Sequence, residues 1–98
     1  MPEPGVPQTS AKKYRIEVTK PAEKSLLKLP ERERGAIRDK IDALADNPRP
    51  HGSKKLKGAG DLHRIRSGDY RVIYRIQDRL LLIVVVRVAH RRDVYWDT

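Results

Sequence analysis

Cysteine and phenylalanine are absent from this chain, and there is one tryptophan and one methionine. Without cysteine there is no disulfide framework, no thiolate to hold a metal and no thiol nucleophile. The three histidines, His51, His63 and His90, are scattered and do not show the spacing of a metal site, so no cofactor is implied. No close pair of carboxylates and no serine–histidine–acid arrangement points to familiar hydrolytic machinery. The longest apolar run, Leu80 to Val86, falls far short of the roughly 18 residues a membrane helix needs. The N-terminal residues also lack the apolar stretch of a secretory signal. These absences predict a soluble cytoplasmic protein with no membrane association.

What is abundant is positive charge. The 98 residues carry 22 Lys and Arg against 13 Asp and Glu, a formal net charge of +9. The excess is uneven: residues 1–48 hold 10 basic and 8 acidic side chains, whereas residues 49–98 hold 12 and 5. A surplus confined to one half is a footprint for a polyanion such as nucleic acid, or for an acidic protein partner. A chain of this length supports one domain with one modest core.

Residues 1–13 are rich in proline and glycine, hold little that can be buried, and read as a disordered tail before a domain over 14–98. Tyr14 to Val18 alternates apolar with polar and predicts a strand. Thr19 suits a helix N-cap, with Pro21 in the first turn where its missing N–H does no harm. The short helix so begun presents Ala22, Leu26 and Leu29 on one face. Pro30 opens a second helix, with Glu31 and Glu33 at its positive end and a stripe of Ile37, Ile41, Leu44 and Ala45. Asn47-Pro48 ends it, because the residue before proline is pushed out of the helical region.

Residues 48–60 read as a basic loop. Leu62 to Arg66 and Tyr70 to Gln77 form a hairpin about the turn signal Ser67-Gly68-Asp69. After a turn at Gln77-Asp78-Arg79, the run Leu80 to Ala89 reads as a central strand covered on both faces. The expected class is α+β: β-α-α-β-β-β, a small, mostly antiparallel sheet with a helical pair on one face.

The hairpin carries the chemistry. Side chains alternate across a strand, so Arg64 and Arg66 share one face while His63 and Ile65 share the other. A connection placing Arg66 opposite Arg71 puts all three arginines together and leaves Ile65, Val72, Tyr74 and Ile76 beneath the helices. A register one residue shorter would bury Arg71 in the core, a poor home for a guanidinium. The apolar pattern therefore favours the clustered arrangement, and three grouped cations invite an anion such as phosphate. The segment His90-Arg91-Arg92-Asp93-Val94-Tyr95 follows the central strand, where a rigid sheet presents exposed groups. His90 is of a type that exchanges protons near neutrality, Arg91 can join the cluster, and Tyr95 and Trp96 offer stacking surfaces for bases. Lys54, Lys55 and Lys57 are candidates for RNA-backbone contacts.

On these residues the chain resembles the RelE/ParE superfamily of toxins, and its RelE branch in particular. The resemblance covers roughly residues 14–96. It rests on Leu26-Leu27-Lys28-Leu29-Pro30, Asn47-Pro48, Lys55-Leu56-Lys57-Gly58, the two hairpin strands, and His90 to Tyr95, in that order and spacing. It implies a RelE-like fold and the toxin of a type II toxin–antitoxin system, monomeric when free and hetero-oligomeric with a cognate antitoxin. It also implies entry into the ribosomal A site against 16S rRNA, and metal-independent mRNA cleavage by the RNA 2′-OH. Arg64 and Arg66 match two basic positions of the family's second strand, Arg71 its strand-three arginine, Arg91 the arginine after the last strand, and Tyr95 the C-terminal aromatic. Arginine stands at 64 and 66 where the family often has lysine. Since arginine does not readily give up a proton, Tyr95 and His90 are the candidate proton acceptors. Two alternatives share the fold: a ParE-like inhibitor of DNA gyrase, and a non-catalytic module that binds RNA or a partner.

Overall fold

The computed structural model describes residues 13–58 and 60–93. Their order is β1 (Arg15–Val18), α1 (Lys20–Leu27), α2 (Glu31–Ala43), β2 (Lys54–Lys55), β3 (Leu62–Ser67), β4 (Tyr70–Gln77) and β5 (Leu82–His90), with short 3-10 turns at Asp78–Leu80 and Arg91–Asp93. One sheet, ordered β1-β5-β4-β3-β2, holds all five strands. β1 runs parallel to β5 and the other neighbours are antiparallel. The expected tail over 1–13 lies outside the described residues, apart from Lys13.

The local rules explain the helices. Thr19 caps α1 by accepting a hydrogen bond from the Ala22 N–H at 3.4 Å, and Pro21 sits in the first turn. Pro30 caps α2, whose first turn carries Glu31 and Glu33. Ala22 and Leu26 of α1, Ile37 and Ile41 of α2, and Leu44 just beyond it are buried against Ile65, Val72, Tyr74, Ile76, Ile83, Val85 and Val88 of the sheet. Each fully buried aliphatic side chain here contributes about 1.5–3 kcal/mol of transfer free energy. Arg38 ties the helices to one another through Glu23 at 2.9 Å.

Four expectations are corrected. Lys54-Lys55, placed in a loop by its polarity, forms a two-residue strand against His63 and Arg64. What holds it is the neighbouring Leu56, which is buried and whose N–H donates to the Leu62 carbonyl at 3.0 Å. The second helix stops at Ala43 rather than Asn47, and its stripe continues through turns that still bury Leu44 and Ala45. The apolar run does not begin its strand at Leu80: Leu80 and Leu81 are exposed, and Leu81 adopts a left-handed conformation (φ 50°) as the turn closes. Finally, β5 is fully covered only on the helix side, since Arg87 on the other face is exposed.

β5 also carries the irregularity that matters most. Its pairing with β4 shifts between Ile73 and Tyr74, so that Tyr74 lies opposite Val85 but Ile73 lies opposite Arg87. Val86 is the extra residue of this bulge, which reverses the alternation of β5. Before it, Ile83 and Val85 face the helices; after it, Val88 and His90 do, and Arg87 and Ala89 turn to the opposite face.

Candidate nucleic-acid interface

The β3–β4 hairpin closes through Gly68 and Asp69, with Ser67 paired to Tyr70. Gly68 has φ 59°, the positive value that a two-residue turn with glycine in first position requires. This turn sets the register Arg66 opposite Arg71 and Arg64 opposite Ile73, as the apolar pattern favoured. Arg64, Arg66 and Arg71 consequently share the face away from the helices. Arg64 is buried, Arg71 half-buried and Arg66 exposed, above the fully buried Ile73.

Arg91 is delivered to the same place by backbone bonds. Its N–H donates to the Asp69 carbonyl at 2.7 Å, and its own carbonyl accepts from Arg71 Nη1 at 3.0 Å. The end of β5 is thus tied to the hairpin turn. Arg66, Asp69, Tyr70, Arg71 and Arg91 line a cleft of about 110 Å³. Asp69 lies 3.8 Å from Arg91 Nε, so three guanidiniums converge there with one acid among the described residues. Guanidiniums present planar N–H forks and hold a phosphoryl group well, but they do not accept protons at neutral pH.

His90 lies elsewhere. After the bulge its side chain faces the helix side, edge-on to Tyr70 with ring centroids 5.3 Å apart. Its Nδ1 accepts from the Arg92 N–H at 3.3 Å. Tyr95 and Trp96 lie outside the described residues. The three lysines are exposed and divide between surfaces: Lys54 stands opposite Arg64, Lys55 opposite His63 on the helix-side face, and Lys57 in the turn leading to Gly58.

Behind the arginine face, His63 and Tyr74 anchor the lysine-bearing segment. Their rings stack with centroids 5.8 Å apart. Tyr74 donates its hydroxyl to the Pro48 carbonyl at 2.7 Å, and burial pushes its pKa up to about 12. Burial likewise lowers that of His63, with the Arg49 and Lys55 charges adding to the effect. At the far end, Asp78 accepts from Tyr14 at 2.6 Å and from both terminal nitrogens of Arg49. The Arg49 fork is the main cause of the lowered Asp78 pKa. This exposed clamp joins the residue preceding β1, the segment after α2 and the β4–β5 turn.

Four lining residues, in two pairs, carried no functional signal in the sequence. Asp69 and Tyr70 line the cleft, although Ser67-Gly68-Asp69 signalled only a turn. Lys40 and His51 line a second cavity beside Arg64 and Arg66, and nothing local in the sequence connects residues that far apart. Among the described residues, no group of three or more His, Cys, Asp or Glu is arranged to hold a metal ion. None of the described helices is long and apolar enough to cross a membrane.

The sequence model of the family described as "ParE toxin of type II toxin-antitoxin system, parDE" matches residues 16–95. Toxin RelG of Mycobacterium tuberculosis is 32% identical over 83 residues, covering 84% of this chain and 95% of that protein. Among solved structures, the archaeal RelE–RelB complex of Pyrococcus horikoshii is similar at 32% identity and a TM-score of 0.74, covering 84% of this chain and 99% of the matched one. The intact RelBE toxin–antitoxin complex of E. coli is similar at 28% identity and a TM-score of 0.69, covering 79% and 95%.

Proposed function

The chain belongs to the RelE branch of the RelE/ParE superfamily and is a toxin of the type II toxin–antitoxin class, and from this premise we propose that it is a ribosome-dependent mRNA endoribonuclease. The observation that carries the reading is the convergence of Arg66, Arg71 and Arg91 on a cleft of about 110 Å³, roughly the scale of a phosphate group. In this reading the protein enters the ribosomal A site against 16S rRNA, in the cytoplasm, and cuts the mRNA there.

The 2′-OH of one nucleotide attacks the adjacent phosphorus, its proton passes to an acceptor, and the P–O5′ bond breaks. The products are a 2′,3′-cyclic phosphate and a 5′-oxygen that takes up a proton. The guanidiniums stabilise the pentavalent transition state, whose charge exceeds that of the ground state. They leave the proton acceptor to another group. With His90 turned toward Tyr70 on the helix side, the reading assigns that role to Tyr95.

Solved relatives include complexes with antitoxins, among them those of Pyrococcus horikoshii and E. coli, which supports a cognate antitoxin as this chain's partner. An acidic segment that folds on binding would complement its basic half. The matched family description also favours a second reading, inhibition of DNA gyrase as by ParE. In vitro translation with primer extension separates the two. Codon-periodic breaks in a translated mRNA, absent from the same untranslated RNA, are expected. Gyrase-dependent DNA damage without RNA breaks would establish the second reading instead.

A further inference from the structure

A larger cavity adjoins the arginine cleft. It has a volume of about 540 Å³ and lies between the end of α2, the turn after Pro50 and the edge of β3. We propose that it is a nucleotide subsite, holding the base and ribose of the nucleotide next to the phosphate that Arg66, Arg71 and Arg91 grip. The proposal rests on the RNA-cleaving reading and deepens it.

Four observations carry it. The first is continuity: Arg66 lines both cavities, so one guanidinium bridges a phosphate-sized space and the larger one. Size is the second. The larger volume falls in the range of about 300–1,000 Å³ typical of pockets that enclose small organic ligands, well above what an inorganic anion needs. The third is the chemistry of the wall. Lys40, Arg64 and Arg66 supply cationic donors, Pro50 and Ile65 supply apolar surface, and no carboxylate of the described residues lines the space. A nucleotide presents the matching set, an anionic linkage with an apolar aromatic ring. The fourth is how His51 is held. The Ser53 N–H donates to the Pro50 carbonyl at 2.9 Å, and Gly52 takes φ 95°. That is a tight turn of the kind that needs glycine in its third position. It fixes His51 at the cavity wall with its side chain exposed, a flat surface on which an unstacked base can lie.

The edge of β3 leaves room for such a ligand. β2 pairs only with His63 and Arg64, and no described strand covers Ile65 to Ser67 on that side. An RNA strand crossing from the cleft over Arg66 would pass along this edge.

The test uses the full-length, ¹⁵N-labelled protein titrated with uridine or adenosine 5′-monophosphate, and separately with inorganic phosphate at matched ionic strength. The nucleotides should move the amide signals of Lys40, His51 and Gly52 together with Arg66, whereas phosphate should move Arg66, Arg71 and Arg91 alone. Replacing Lys40 and His51 together with alanine should weaken nucleotide binding about tenfold, the scale of one lost stacking contact. Lys40 and His51 are both exposed, so the thermal midpoint should hold. Identical shift patterns for phosphate and nucleotide, or unchanged nucleotide affinity in the double variant, would overturn the subsite. That failure is distinguishable from failure of the parent reading. Normal codon-periodic cleavage without nucleotide binding at Lys40 and His51 removes the subsite only. Nucleotide binding there by a protein that cuts no translated mRNA keeps the pocket and removes the endoribonuclease.

Discussion

Arg66 and Arg71 stand opposite each other but are held differently. The Arg66 side chain is exposed and makes no hydrogen bond or ion pair with another side chain among the described residues, whereas Arg71 is half-buried and its side chain donates to the Arg91 carbonyl. Loss of Arg71 therefore confounds chemistry with the anchoring of residues 91–93, and Arg66 is the cleaner probe. His63 supplies a different test at the same scale. Burial lowers its pKa, so the folded state resists taking a proton that the unfolded chain accepts near its ordinary value of about 6.5. Stability from this group is complete above that value. It declines as pH falls from there to the lowered folded value, because the unfolded state then binds more protons. Urea midpoints measured from pH 7.5 to 5 should fall with pH in the wild type and fall less steeply in His63→Phe. Equal slopes in the two proteins would remove His63 as the source. The sequence showed His63 on the core side, but not the aromatic partner that makes its burial tolerable.

Among the elements, the β3–β4 hairpin was the most legible and the basic segment and β5 the least. The hairpin register followed from one physical choice, that Arg71 not be buried with Val72 and Tyr74. Leu80 and Leu81 looked like strand because they are apolar, yet the Asp78–Leu80 turn claims them. The bulge at Val86 left no signature in a run of valines, and it alone decides that His90 leaves the arginine face while Arg87 joins it. Lys54-Lys55 pairs through its backbone, which side-chain polarity conceals. The lysine-bearing segment carries its own prediction. Lys54, Lys55 and Lys57 are exposed, and phosphate contacts fix position without reading sequence. Replacing all three with alanine should weaken ribosome co-sedimentation and flatten its dependence on salt, with the codons cut unchanged. Normal ribosome binding by this variant at physiological salt would mark the segment as a solvated connection.

At the scale of the whole molecule, five strands and two helices serve to hold cationic side chains from four separate elements at one end of the sheet. The helices bury one face, which leaves the other for Arg64, Arg66 and Arg71, while the end of β5 contributes Arg91 and α2 contributes Lys40 to the adjoining cavity. The concentration of charge in residues 49–98 was visible from composition. The approach of Lys40 and His51 to Arg64 and Arg66 depends on how α2 crosses β3, which no local pattern encodes. The central claim is that the arginine cleft grips the scissile phosphate of mRNA, and Arg66→Ala tests it most directly. The measurement is primer extension on a translated mRNA with wild-type and variant protein at equal concentration, alongside their thermal midpoints. The account predicts codon-periodic cuts by the wild type, at least a hundredfold fewer by the variant, on the scale of one lost transition-state donor, and midpoints that agree. Undiminished cleavage by a folded Arg66→Ala protein would contradict it.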